Sequence, residues 1–324
     1  MTRRLRQGWI LLGLVPVLAG CGGNQNTIAP AAHAERSITQ LFWVMLGASC
    51  IGFGVIVTLL FLGWVRREQP SLPGGHGERA ATGVVLGLGV GVPIVLLVSL
   101  FIWSDLFVVN SVAAPAGRTP LTVRVIGHQW WWEVRYVGSK AVTANEIHIP
   151  VGTKVSAVVT TDDVIHSFWI PELNRKVDMI PGTESRLLLR ADRPGVYRGQ
   201  CAEFCGLQHA HMAVAVIAQP PAAFRRWLAS QKRPATGSSA TFMHASCGNC
   251  HTIRGTPADG TVGPDLTHVA SRQTIAALEL PNTPDFLRAW IRDPHRFKPG
   301  TRMPKLPLTT GQIDRLAAYL ESLR

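Results

Sequence analysis

Two stretches of this sequence concentrate side chains that bind soft metals. The first reads Cys201-Ala202-Glu203-Phe204-Cys205-Gly206-Leu207-Gln208-His209-Ala210-His211-Met212. Two thiols four apart, then an imidazole and a thioether, form a donor set that favours copper over hard cations. Two thiolates on one loop can bridge a pair of metals, and two coordination shells then require a second imidazole. His166, in Asp162-Asp163-Val164-Ile165-His166-Ser167-Phe168, is the natural candidate, at the end of a predicted strand on a distant loop. A Cys201–Cys205 disulfide is the simpler alternative, and a single blue-copper ion would need only one of these thiols. His211 competes with His209, but spacing to Met212 favours His209 and leaves His211 at a surface or interface.

The second stretch, Cys247-Gly248-Asn249-Cys250-His251, has the spacing of covalent haem c attachment. Two thiols must reach two vinyl groups on one porphyrin edge while the adjacent imidazole meets the iron, and one helical turn supplies both. A zinc half-site or a chance match is the alternative. The second axial ligand must approach the opposite face, so it must lie far along the chain. Met243 is expected on the same short helix as Cys247 and Cys250 and cannot swing across. Met303, in Lys298-Pro299-Gly300-Thr301-Arg302-Met303-Pro304, is therefore expected at the iron. His268 and His295 are rivals, both expected at the surface. Methionine/histidine ligation raises a haem potential and leaves no open site, which suits electron transfer.

These groups need elements to position them. Residues 37–65 and 80–104 hold no charged side chain, and each run exceeds the ~30 Å hydrocarbon core at ~1.5 Å per residue. They read as two transmembrane helices within 37–109, the second bent near Pro93. Ahead of them, Arg3, Arg4 and Arg6, an apolar stretch and Leu18-Ala19-Gly20-Cys21 read as a leader over 1–21. The segment resembles a bacterial lipoprotein signal, which would make Cys21 a lipidated N-terminus; plain secretory cleavage or an uncleaved anchor is the alternative. Arg66, Arg67 and Arg79 outnumber Glu68 and Glu78 in the connecting loop, which places it on the cytoplasmic side and everything after residue 110 outside.

From Leu121 to Ala218 the pattern changes to short β-type runs: Leu121–Ile126, Asn145–Ile149, Lys154–Thr160 and Glu184–Arg190. Pro150-Val151-Gly152, Pro181-Gly182 and Pro194-Gly195 punctuate them, which predicts an all-β sandwich over 110–218. Residues 219–240 read as a linker that includes a short helix, Phe224–Gln231. Residues 241–324 read as helical, ending in a helix that Thr309 and Gln312 cap and whose Ile313, Leu316, Leu320 and Leu323 share one face. The formal charge is +12. Without a basic run interleaved with aromatics, nucleic acid is not an expected partner; solubility, or an acidic redox partner, accounts for the charge.

Residues about 110–218 resemble the soluble copper-A domain of cytochrome c oxidase subunit II, a cupredoxin-like sandwich. The likeness rests on Gly127-His128-Gln129-Trp130-Trp131-Trp132, the His166 loop, Val177-Asp178-Met179-Ile180-Pro181-Gly182 and the Cys201–Met212 loop. It implies that Cys201 and Cys205 bridge two coppers. His166 and Met212 would complete one shell, and His209 with the Glu203 carbonyl the other. It also implies a magnesium ion, shared with subunit I, at the Glu203 side chain, and Trp130 exposed above the metals as the residue that receives electrons; core and interface packing is the alternative reading of the Trp130-Trp131-Trp132 cluster. Residues about 240–324 resemble a class I cytochrome c, in which the carbonyl of Pro264, within Gly263-Pro264-Asp265-Leu266, would accept the hydrogen bond of His251. The chain departs from many relatives at the second apolar run, which opens Gly77-Glu78-Arg79 without the expected Trp; no proton role is assigned to Glu78.

The resemblance implies a caa3-type subunit II of a haem–copper oxygen reductase in the bacterial inner membrane. Electrons from a periplasmic donor, such as a cytochrome c or a bc1 complex, would pass through haem c and copper A to subunit I, with subunit III as a further partner. A copper-A nitric oxide reductase complex would use the same module. A copper-delivery protein is an alternative of a different class, against which the haem motif argues, and a quinol-oxidase subunit would lack the metal ligands kept here.

Overall fold

A computed structural model describes residues 23, 25–67, 76–114, 117 and 119–324, apart from the side chains of residues 34, 76 and 78. The expected leader, with Cys21, and the Glu78 side chain lie outside the described residues. The chain divides into two units, Arg36–Ala113 and the remainder.

The first unit is built on two helices. One runs His33–Val65. The other begins at His76–Leu86, widens into a π-turn at Gly87–Gly91, and continues as Val92–Trp103. Proline lacks the N–H that an uninterrupted helix would use, and the π-turn immediately before it absorbs that break at Pro93. The sequence predicts an end near residue 104, yet the helix runs through a second π-turn, Ser104–Val109, to Val112. Asp105 does not break backbone pairing, and Asn110 Nδ2 donates back to the Leu106 carbonyl at 3.0 Å. Both helices are long and apolar enough to cross a membrane, over Glu35–Val65 and Arg79–Val112, and most of their apolar side chains are exposed, with Val108 buried near the end of the second. Surfaces so continuously apolar are suited to lipid rather than water.

The second unit opens on ten strands: β1 (Leu121–His128), β2 (Trp131–Tyr136), β3 (Val142–Ala144), β4 (Glu146–Pro150), β5 (Val155–Thr161), β6 (His166–Trp169), β7 (Val177–Met179), β8 (Ser185–Leu189), β9 (Gly195–Cys201) and β10 (Ala213–Gln219). They form two five-stranded sheets, ordered β3-β2-β1-β5-β8 and β4-β10-β9-β6-β7. Gly152 and Gly182 adopt φ of +75° and +77°, the left-handed conformation that the Pro-containing turns require. Trp132, Tyr136, Ile149, Phe168, Leu187 and Val216 pack in the core between the sheets, each contributing about 1.5–3 kcal/mol by burial. Tyr136 answers its own burial by donating to the His148 carbonyl at 2.9 Å and accepting from His148 N–H at 2.7 Å.

Residues 219–231 are not a free spacer. The helix Pro221–Gln231 buries Phe224 against the sandwich, and Trp227 stacks on the His148 ring with centroids 3.9 Å apart. Beyond it, the helices Ala240–His244, Pro284–Arg292 and Thr310–Ser322 enclose a separate core of residues such as Phe242, Ile253, Leu287 and Leu316. Thr309 and Gln312 form a reciprocal capping box on the last helix. Residues 251–268 and 297–309 are irregular rather than helical, and the segment 274–281 departs from the helical expectation in its own way. It forms a ribbon of β11 (Thr274–Ile275) and β12 (Leu280–Pro281), turned by three residues of positive φ, Ala276, Ala277 and Leu278.

Candidate metal centre

The strand order explains how distant residues meet. β9 pairs with β6 on one side and β10 on the other, so Cys201 at the end of β9 sits opposite Phe168 of β6 and beside the start of β10. His166 opens β6 rather than ending a strand, and pairs with Met179. Gly199 makes this approach feasible, because a Cβ there would run into the Trp169 carbonyl.

The result is a buried cage. The Cys201 and Cys205 sulfurs lie 3.8 Å apart, far beyond the ~2.05 Å of a disulfide, and both thiols are free. His166 Nδ1 is 3.7 Å from Cys201 Sγ, His209 Nδ1 is 3.6 Å from Cys205 Sγ, and Met212 Sδ is 3.8 Å from Cys205 Sγ. The Glu203 carbonyl is 3.2 Å from Cys201 Sγ, while the Glu203 side chain points to an exposed surface. His211 turns the other way: its Nδ1 meets Glu279 at 2.9 Å. Ligand atoms of His166, Cys201 and Cys205 all fall within 4.8 Å of one another.

The electrostatics prepare the cage for a cation. The Cys205 hydrogen bond holds the Cys201 thiol down to about 4 against the cost of burial, with further help from His166. The same bond, seen from the other sulfur, pushes Cys205 up. A metal held between the two sulfurs would take the place of that hydrogen bond. Asp163 was not singled out from the sequence, yet its Oδ1 lies 2.9 Å from His166 Nε2. Burial would raise this carboxyl, but bonds from His166 and from the Gln129 and Val164 N–H groups outweigh it and hold it at about 2. The carboxylate therefore accepts from Nε2–H and leaves Nδ1 facing the sulfur, the arrangement that orients metal-binding imidazoles. An Asp three residues before a ligand His was the available signal.

Trp130 departs from expectation. It is only 9% exposed, its indole N–H donates to the Cys205 carbonyl at 3.0 Å, and its own carbonyl accepts from Lys298 Nζ. Lys298 and Arg302 meet this segment at the Trp130 carbonyl and at Gln129 Oε1.

In the C-terminal domain, Cys247 and Cys250 are half-buried free thiols. Cys247–Asn249 forms a 3-10 turn separated from the Met243 helix by Ser246 at φ +60°, so the expected single helix is broken there. His251 Nδ1 donates to the Pro264 carbonyl at 2.8 Å, which leaves the lone pair on Nε2. Burial pulls this imidazole below its ordinary range and keeps it neutral, as an iron ligand must be. A Cβ on Gly263 would lie 2.5 Å from His251 Cε1, so the glycine leaves the ring its space. Met303 is half-buried, next to Arg302. Of the rival histidines, His295 is exposed, but His268 is buried and its Nε2 donates to the Arg233 carbonyl at 2.9 Å, a structural bond that occupies it.

Residues 139–219 match the family described as cytochrome c oxidase subunit II, periplasmic domain, and residues 237–324 match the cytochrome c family. The chain is 36% identical to cytochrome c oxidase subunit 2 of Alkalihalophilus pseudofirmus, over 95% of this chain and 94% of that protein. It is 30% identical to the Bacillus sp. (strain PS3) protein of the same name, over 74% and 72% of the two chains. Among solved structures, it is similar to the periplasmic domain of subunit II of cytochrome oxidase of Bradyrhizobium japonicum. That likeness has 29% identity and a TM-score of 0.34, covering 36% of this chain and 97% of the other.

Proposed function

From the premise that this chain belongs to the cytochrome c oxidase subunit 2 family and ends in a cytochrome c domain, we propose that it receives electrons at that domain and hands them to an oxygen-reducing subunit through the cysteine cage. The family sets the frame: a subunit of a haem–copper oxidase, assembled with subunit I and carrying a domain outside the membrane. The observation that carries the finer reading is the open pair of sulfurs, 3.8 Å apart, ringed by two imidazoles, a thioether and a carbonyl.

That donor set fits a binuclear copper-A centre. Cys201 and Cys205 would bridge; His166 with Met212, and His209 with the Glu203 carbonyl, would complete the two shells. Asp163 fixes the His166 tautomer, and the buried thioether and thiolates exclude water. The C-terminal donor set fits a haem c, which Cys247 and Cys250 would hold covalently and His251 and Met303 would ligate, with the Pro264 carbonyl orienting the His251 ring. When bound, these groups supply one-electron carriers that exchange electrons without making or breaking bonds. The exposed Glu203 side chain is suited to a magnesium ion at the subunit I boundary. The donor would be a periplasmic cytochrome c or a bc1 complex, the setting a bacterial inner membrane with subunit III alongside, and Cys21 the lipidated terminus.

Visible/near-infrared spectra of the purified complex, and elemental analysis of the fully loaded chain freed of the other subunits, test this reading. Two coppers per haem c iron in this subunit, with mixed-valence copper absorption, are expected. A single copper, or none with haem bands retained, would refute the copper-A assignment.

A further inference from the structure

Two buried charged side chains lie between the sandwich and the C-terminal domain, and neither donor set uses them. Lys298 is 3% exposed, and its Nζ donates to the Trp130 carbonyl at 3.0 Å and the His211 carbonyl at 2.8 Å. Both carbonyls sit at the rim of the cage: Trp130 is bonded to Cys205, and His211 immediately precedes Met212. In the reverse direction, Glu146 of β4 reaches into the C-terminal domain. Its Oε1 accepts from the Gln273 N–H and the Thr274 N–H at 2.9 Å each, and from Thr274 Oγ1 at 3.0 Å. Each domain drives one charge into the other.

Burying a charge is costly unless it is fully hydrogen-bonded, and removing its partners leaves that cost uncompensated. A C-terminal domain that swung freely on its connection would keep such groups in water. Burial draws Lys298 down to about 8, against the opposing pull of Glu279 and Cys205, so it remains an ammonium at neutral pH. Neighbouring bonds tighten the same loop: Gln208 Nε2 donates to the Pro299 carbonyl, and Arg302 Nη2 donates to Gln129 Oε1. The loop so held leads directly to Met303.

We propose that Lys298 is a positioning residue, pinning the loop that carries Met303 onto Trp130 and His211 so that electrons cross to the cysteine cage in one fixed pose. This rests on the two donor sets assigned above. The step moves one electron: the C-terminal centre is oxidised by one, the cage centre reduced by one, and no proton or covalent bond changes place. Trp130, buried and tied to Lys298 through its carbonyl, serves as an internal contact between the two domains rather than as a landing site for a soluble donor.

The test uses the intact, metal-loaded oxidase, with the C-terminal centre reduced by flash photolysis of a ruthenium photoreductant and both centres followed optically. Lys298→Met is expected to retain the haem and near-infrared bands, to transfer at least tenfold more slowly, and to slow further as glycerol raises the viscosity. Lys298→Arg is expected to recover most of the rate. Transfer within twofold of the unaltered enzyme in Lys298→Met, bands intact, overturns the proposal. The unaltered enzyme supplies a second, independent measurement even where a variant fails to assemble: its rate is expected to be indifferent to viscosity, and a rate that falls with viscosity refutes the fixed pose. A missing near-infrared band in the unaltered enzyme would count against the copper assignment instead.

Discussion

Arg302 Nη1 lies 3.8 Å from Asp163 Oδ2, so the carboxylate that orients His166 also meets the residue preceding Met303. One acid thus faces both donor sets. Asp163→Asn keeps the size but removes the charge that steadies the His166 Nε2–H. Loss of such a partner weakens metal binding by about 10–100-fold. Competition with a copper chelator measures it, with the haem spectrum as an internal standard. Unchanged copper retention would show that the carboxylate does not orient the ring.

The two thioethers separate the two centres. Met212→Leu is expected to shift the copper absorption and leave the haem bands alone. Met303→Ala is expected to abolish the methionine-ligated haem signature and leave the copper absorption alone. Crossed effects, or normal spectra, would remove that methionine from its donor set.

Gly127 is not a donor, yet it limits the cage. A Cβ there would stand 2.8 Å from His166 Cδ2 and 3.4 Å from Met179 Cε, and both neighbours are buried. Gly127→Ala therefore must push the imidazole, and overpacking of this kind costs about 1–3 kcal/mol. Reduced copper per haem and a lowered thermal midpoint are expected. A variant with full copper content and unaltered midpoint would mean that the ring has room to yield.

Lys298 makes stability depend on pH in a defined direction. Its ordinary value is 10.5 and burial lowers it to about 8. Below pH 8 both folded and unfolded chains hold the proton, and the burial cost is fully present. Between pH 8 and 10.5 the unfolded chain binds more protons, so the contribution of this group to stability rises with pH, by about 3 kcal/mol in all. The thermal midpoint of the loaded chain, measured relative to Lys298→Met, should rise across that window. Parallel curves would contradict the burial of an ammonium.

The cage is readable because its donors are crowded into one loop, and two thiols beside imidazole and thioether have few other uses. His166 is then the single long-range partner required. The sandwich is readable from its turns: Pro150 ends β4 and Val151-Gly152 turns toward β5, while Pro181-Gly182 sits between β7 and β8. What the sequence conceals is the surface between the sandwich and the C-terminal domain. Lys298 and Glu146 look like ordinary solvated charges, because only the folded partner supplies the carbonyls and N–H groups that receive them. Of the two readings of Trp130, exposure and packing, the structure has the second, and no local pattern announces the Lys298 ammonium that its carbonyl receives. The segment 274–281 reads as helical by composition, but Glu146 captures its first N–H groups and the chain turns back on itself.

β10 is the last strand of the sandwich, yet it lies inside its sheet, between β4 and β9. A nascent chain that stops short of it has neither Met212 in place nor the edge of β9 closed. The geometry of the cage therefore depends on the strand that comes last in the sandwich, and is complete only when the sheet is. Of the loop that closes the cage, Phe204 and Leu207, 76% and 79% exposed, are the side chains that the finished sheet leaves uncovered.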